Sequence, residues 1–235
     1  MNAYLGEFLG TMILMLMGGG VVAGVLLGKS KAQNAGWIAI TAGWGFAVMA
    51  GIYTAKAAGA PGYINPVGPF AGVLTGSLAV EKALGFVAAE FAGAYVGAVL
   101  VYLHYLPHWA ETPDTAVKLA VFCTAPAIRN PAANFMSEAI ATFVLVFVGT
   151  AITEKVLGAP INGALVWGIG LSLGATTGYA INPARDLGPR CAHAVLPIAG
   201  KGGSDWGYAW IPVFGPLVGA AIGALLAQAV FVKSP

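Results

Sequence analysis

Gly178-Tyr179-Ala180-Ile181-Asn182-Pro183-Ala184-Arg185-Asp186-Leu187-Gly188-Pro189 is the stretch that decides the fold. It lies in a hydrophobic part of the chain yet carries an Arg-Asp pair and an Asn-Pro step. Proline suits the first turn of a helix, where its missing N–H costs nothing, and Asn is a natural cap just before it. The stretch therefore reads as extended backbone running into a helix that starts at Pro183. A weaker copy lies upstream, Gly62-Tyr63-Ile64-Asn65-Pro66-Val67-Gly68. Two capped helix starts in so apolar a chain suggest a pore.

Composition sets the surroundings of both copies. Of 235 residues, 58% are hydrophobic and 9% charged, and the mean hydropathy is +0.81. A soluble domain carries about 25% charged residues, so the chain reads as an all-α, polytopic membrane protein. A formal charge of +2 gives no argument for a nucleic-acid partner. Cys123 and Cys191 form no framework and read as small, inert residues. Met1–Leu27 lacks a basic start and contains Glu7, so it reads as a membrane span and not as a cleaved signal.

Six stretches are long enough to cross the hydrocarbon core, which takes about 20 residues each. They fall near 3–27, 35–57, 83–105, 134–155, 160–178 and 208–232. The two Asn-Pro segments, near 65–76 and 182–194, are apolar but too short to span, and read as re-entrant half-helices. Non-helical backbone at that depth is tolerated only where it is buried in protein or lines a water-filled cavity.

The chain also repeats itself. Glu7-Phe8-Leu9-Gly10-Thr11 in span one matches Glu138-Ala139-Ile140-Ala141-Thr142 in span four, and each is followed by a second span and then Asn-Pro. Three spans per repeat is an odd number, so the second copy sits upside down in the bilayer and the half-helix N-termini meet near its midplane. The expected organisation is one channel domain over 1–235, with inverted repeats at about 1–105 and 134–235 joined by the polar loop 106–133. The distribution of Lys and Arg among the loops does not decide the orientation. In the long loop, His104, His108 and Glu111 make a metal site conceivable, but Pro107 breaks the helix between the histidines, and ordinary loop-edge residues are the plainer reading. Gly93/Gly97 and Gly215/Gly219/Gly223 have the spacing that lets helices approach closely, within one bundle or between subunits.

Arg185 is the sharpest candidate for function. A guanidinium at membrane depth is costly unless paired or wet; a pore supplies water, and five N–H donors suit hydroxyl groups. The plainer alternative is a salt bridge to Asp186 that fixes the loop. Asn65 and Asn182 place side-chain amides where two positive helix ends converge, an arrangement that orients water or a hydroxyl as acceptor and disfavours cations and proton hopping. Glu7 and Glu138, at equivalent repeat positions, are expected to accept hydrogen bonds from the re-entrant backbones, with proton coupling as the alternative. Glu90 has no repeat mate visible in the sequence.

Together, the two Asn-Pro half-helices, the Glu-x-x-x-Thr repeat and NPARDLGPR resemble the major intrinsic protein family, and more narrowly its bacterial glycerol uptake facilitators, over essentially the whole chain. Asp186, Arg190, Pro212 and Val213 fit that branch. The resemblance implies an aquaporin-like fold in the cell membrane, a homotetramer with one pore per subunit, and no cofactor or catalytic group. It implies pore-centre motifs at Asn65-Pro66-Val67 and Asn182-Pro183-Ala184, loop support from Glu7, Glu138 and Asp186, and a constriction of Trp44, Gly170, Tyr179 and Arg185. In that constriction Gly170 leaves space, Trp44 and Tyr179 take the carbon edge of a polyol, and Arg185 binds its hydroxyls. The first loop departs from the family pattern Ser-Gly-Ala-His-Leu-Asn-Pro-Ala: Tyr63 replaces His, Val67 replaces Ala, and Gly68-Pro69 follows.

The resulting expectation is a passive channel for glycerol and similar small neutral solutes, with some water flux. A channel of the same family tuned for water, lactic acid, urea or dihydroxyacetone is the near alternative. Secondary transporters also use inverted repeats and broken helices, and coupling of flux to a proton or sodium gradient distinguishes them. An intramembrane enzyme built on Glu90, His104 and His108 lacks a visible partner group.

Overall fold

The computed structural model describes residues 2–153 and 158–231. Among these, nine α-helices follow one another: α1 (Ala3–Leu26), α2 (Trp37–Ala57), α3 (Val67–Leu74), α4 (Val80–His104), α5 (Thr115–Ala120), α6 (Pro131–Thr153), α7 (Ala159–Leu173), α8 (Pro183–Val195) and α9 (Ile211–Phe231). Five of them, α1, α2, α4, α6 and α9, are long and apolar enough to cross a membrane. The expected ends of spans four and six, at 155 and 232, lie outside the described residues.

Local chemistry explains where the helices start. The Asn2 side chain accepts the Tyr4 N–H at 3.0 Å to cap α1, and Asp114 accepts the Ala116 N–H at 2.8 Å to cap α5. Before α6, Asn130 Oδ1 accepts from Ala133 N at 3.2 Å while Asn134 Oδ1 accepts from Asn130 N at 3.0 Å, a reciprocal cap in front of Pro131. The span expected at 160–178 is shorter than the sequence suggests: α7 has 15 residues and stops at Leu173. Beyond it, the Thr176 carbonyl accepts from Ala127 N and the Thr177 hydroxyl donates to Glu138, so these groups serve other parts of the molecule.

Helix packing follows the glycines. A methyl group added at Gly97 would lie 2.5 Å from the Met12 carbonyl oxygen, and one at Gly223 would lie 3.0 Å from that of Phe143. With Gly93 and Gly219 one turn earlier, these positions let α4 lie on α1 and α9 on α6 backbone to backbone, so the small-residue spacing serves packing within one chain. The short helices cross over: α3 packs on α9 as well as α4, and α8 packs on α4 as well as α9.

The long connection between α4 and α6 folds inward, burying Trp109, Lys118 and Phe122. His108 Nδ1 bonds the Gly28 carbonyl at 2.9 Å and Glu111 pairs with Lys29 at 2.6 Å, so both have partners elsewhere. Cys123 in this loop is buried, and that burial, with the Asp186 charge adding to it, pushes its thiol up.

Candidate functional site

The two re-entrant loops are held by two buried carboxylates. Glu7 Oε1 accepts from the backbone N–H of Gly62 (2.7 Å) and Tyr63 (3.0 Å), and Oε2 accepts from Ile64 (2.7 Å). Glu138 Oε1 accepts from the Thr177 hydroxyl (2.6 Å) and Ala180 N–H (2.9 Å), and Oε2 accepts from Ile181 N–H (2.9 Å). The repeated threonine has a local purpose: Thr11 Oγ1 donates to the Glu7 carbonyl at 2.7 Å and Thr142 Oγ1 to the Glu138 carbonyl at 2.8 Å.

These anchors hold Ile64 at φ 47° and Ile181 at φ 43°. A β-branched residue in that region is a genuine outlier, and such strain costs about 1–3 kcal/mol per residue. The surroundings fix it. Asn65 Nδ2 donates to the Ile181 carbonyl and Asn182 Nδ2 to the Ile64 carbonyl, each at 2.9 Å. Asn65 Oδ1 accepts from Val67 N at 3.1 Å, and Asn182 Oδ1 accepts from Ala184 N and Arg185 N at 3.0 and 3.1 Å. Each asparagine thus caps its own half-helix and grips the opposite loop. One N–H of each amide has no protein acceptor among the described residues, and both residues line a cavity. Pro66 immediately precedes α3, while Pro183 is the first residue of α8.

That cavity has a volume of about 640 Å³. Its lining includes Trp44, Tyr179, Arg185, Asn65 and Asn182, with Asn162 and Gln228 among its other polar groups. The Arg185 guanidinium carbon sits 4.1 Å from the centroid of the Trp44 ring, a cation–π stack. Its side-chain hydrogen bond to the protein is one at 3.4 Å to the Phe122 carbonyl. Gly18 makes the stack possible, because any side chain there would collide with the Trp44 ring.

Asp186 is not Arg185's partner. Its Oδ1 accepts from Arg190 Nε (3.0 Å) and Nη2 (2.7 Å), and its Oδ2 accepts from the Thr124 N–H and hydroxyl, both at 2.7 Å. Arg190 further donates to the carbonyls of Ser204, Asp205 and Thr124 at 2.8, 3.1 and 3.1 Å. All five guanidinium donors are therefore used, and α8 is tied to the loops before α6 and α9. Thr124 and the carbonyl partners of Arg190 carry no motif of their own; the spacing of Asp186 and Arg190, four apart on one helix face, was the available signal.

Gly170 stands beneath Tyr179 and does not itself line the cavity. A methyl at Gly170 would lie 2.7 Å from the Tyr179 ring and 2.9 Å from Thr41. Trp37 closes this corner, donating Nε1–H to the Gly170 carbonyl at 3.0 Å and packing edge-on against Tyr179 at 5.9 Å between centroids. In the first loop, Tyr63 and Gly68 are coupled: a methyl at Gly68 would lie 2.7 Å from the Tyr63 ring, which packs on Phe86 at 5.7 Å. Val67 is buried and lines the cavity; Ala184 is fully buried.

Bundled apolar helices around a lumen with polar atoms at its centre define a multi-pass membrane channel. The sequence model of the major intrinsic protein family matches residues 1–227, and the chain belongs to that family. It is 56% identical to glycerol uptake facilitator protein 3 of Lactiplantibacillus plantarum over 226 residues, 94% of either chain. It is 52% identical to a probable glycerol uptake facilitator protein of Thermotoga maritima, covering 96% of this chain and 98% of the relative. The crystal structure of the aquaglyceroporin from Plasmodium falciparum superposes with a TM-score of 0.80 at 26% identity, covering 97% of this chain and 95% of that one. The chain is a channel and not an enzyme.

Proposed function

We propose that this chain conducts glycerol and other small neutral solutes passively across the cell membrane, with some water, through the lumen described above. The observation that carries the reading is the Trp44–Arg185 stack. It holds the Trp44 indole against a guanidinium with unengaged donors where both line the cavity, next to the Tyr179 ring. A polyol has one carbon edge and one hydroxyl edge, and the two surfaces match them. Trp44, Tyr179 and Arg185 form the constriction, and Gly170 contributes by making room for the Tyr179 ring. Asn65 and Asn182, with Pro66, Val67, Pro183 and Ala184 behind them, form the pore centre, where amides facing the lumen orient a passing oxygen as acceptor. Glu7, Glu138 and Asp186 support the loops. The halves at about 1–105 and 134–235 act as inverted repeats joined by 106–133. The relatives' names support glycerol as the solute.

The assembly is proposed to be a homotetramer with one lumen per subunit, which the mass of the detergent-solubilised protein, corrected for bound detergent, checks. The functional test is stopped-flow light scattering of proteoliposomes under a glycerol gradient and, separately, an impermeant osmolyte. Fast glycerol re-swelling that ignores imposed pH and sodium gradients is expected. Rapid water loss without glycerol uptake would overturn the solute assignment, and gradient-dependent flux would overturn the passive one.

A further inference from the structure

Glu90, in the middle of α4, is fully buried, and neither carboxyl oxygen has a hydrogen-bond partner among the described residues. Polar groups near it include the Glu7 carboxylate on α1 and the backbone N–H of Asn65, which faces the carboxyl group without a formed hydrogen bond. Packing register shows why it has no repeat mate. Gly93 meets α1 at Phe8, and Gly219 meets α6 at Ala139, so these two glycines are equivalent. Three positions before Gly93 stands Glu90; three before Gly219 stands Pro216. The first half thus has a carboxyl group where the second has a helix proline.

An ionised carboxylate with no donor is among the costliest groups to bury, and a second carboxylate beside it adds to the cost. Glu7 is the member of the pair supplied with donors, since the N–H groups of Gly62, Tyr63 and Ile64 all point to it. The next amide along the loop is Asn65, on the Glu90 side. Among the described residues, the other elements against α4 bring no cation to Glu90. The first loop offers Tyr63, and α3 has no titratable side chain. Helix α8 meets α4 through Gly188 at Phe91, Ala94 and Tyr95, while its Asp186 and Arg190 bond each other.

We propose that Glu90 is a positioning residue that stands as a neutral carboxylic acid behind the first loop, its carbonyl oxygen towards the Asn65 N–H and its proton towards Glu7, and that it thereby fixes Asn65 in the lumen. This rests on the reading of Asn65 as pore centre. Glutamine reproduces a neutral acid's shape and carbonyl oxygen but has no acid proton, which separates this role from that of an ionised carboxylate.

The test pairs infrared difference spectroscopy of wild type against Glu90→Gln in liposomes at neutral pH with glycerol flux of Glu90→Gln and Glu90→Ala. The carbonyl stretch of a protonated carboxylic acid, shifting in D2O, is expected in wild type and lost in Glu90→Gln. Flux is expected within about twofold of wild type for Glu90→Gln and about threefold to tenfold lower for Glu90→Ala, the weight of one or two hydrogen bonds. A missing acid band overturns the proposal, as does a Glu90→Gln variant as impaired as Glu90→Ala. If Glu90→Ala does not fold, the band and the glutamine variant decide. Wild-type protein without glycerol flux would sink the pore reading, while the band would still report the state of Glu90.

Discussion

Arg185 and Arg190 lie on one half-helix and end in opposite states. Arg190 spends all five donors inside the protein, whereas Arg185 makes one side-chain hydrogen bond to the protein and lines the cavity. Replacing Arg185 by Ala is therefore expected to leave the fold intact, to admit other solutes and to weaken charge exclusion; unchanged selectivity in flux assays would remove it from the constriction. Asp186→Asn takes the countercharge from a buried guanidinium, and breaking such a pair costs about 3–5 kcal/mol. Its thermal unfolding in detergent should come well below that of Arg185→Ala. Gly170→His drives a side chain into the Tyr179 ring, so glycerol flux should fall far more than water flux; equal losses would count against Tyr179 as a constriction residue. Arg185 and Asp186 suggest a bridge only because they are neighbours in sequence. On a helix, adjacent side chains diverge and residues four apart meet, so the Asp186–Arg190 pair was readable. Trp37 was not: its bond to Gly170 joins residues far apart in the chain, and no local pattern announces it.

At the level of elements, hydrophobic runs located the helices to within a few residues but overran the end of α7. Thr176 and Thr177 are compatible with a helix by themselves, and it is their partners Ala127 and Glu138, on distant segments, that stop α7 at Leu173. The first half-helix is likewise shorter than expected: α3 has 8 residues against 13 for α8. Gly68 and Tyr63 look like two separate departures from the family pattern, yet the ring of one lies over the bare backbone of the other. The helix seams can be probed one glycine at a time. Gly93→Val pushes a side chain into the α1 backbone at Phe8, whereas Gly20, also on a membrane helix, has open space around it. Overpacking costs about 1–3 kcal/mol, so Gly93→Val should lower the melting temperature in detergent and Gly20→Val should not. Equal behaviour of the two variants would mean that α4 and α1 are not in backbone contact.

For the whole molecule, the short helices and the asparagines interlock the two halves. α3 leans on α9 and α8 on α4, while Asn65 and Asn182 each bond the other's loop. Residues 1–133 or 134–235 expressed alone should therefore give no solute flux in liposomes, and co-expression should restore some; conduction by either piece alone would refute the shared lumen. The same interlock bears on how the protein is made. Chains are synthesised from the N-terminus onwards, so Ile64 and Asn65 reach the bilayer long before Ile181 and Asn182 exist to receive them. Until then the first loop has its Glu7 anchor but lacks the Asn182 bond to Ile64, and half of the cavity's lining is missing. The cavity is lined by both halves, so it can close into one lumen only after the second half has been made.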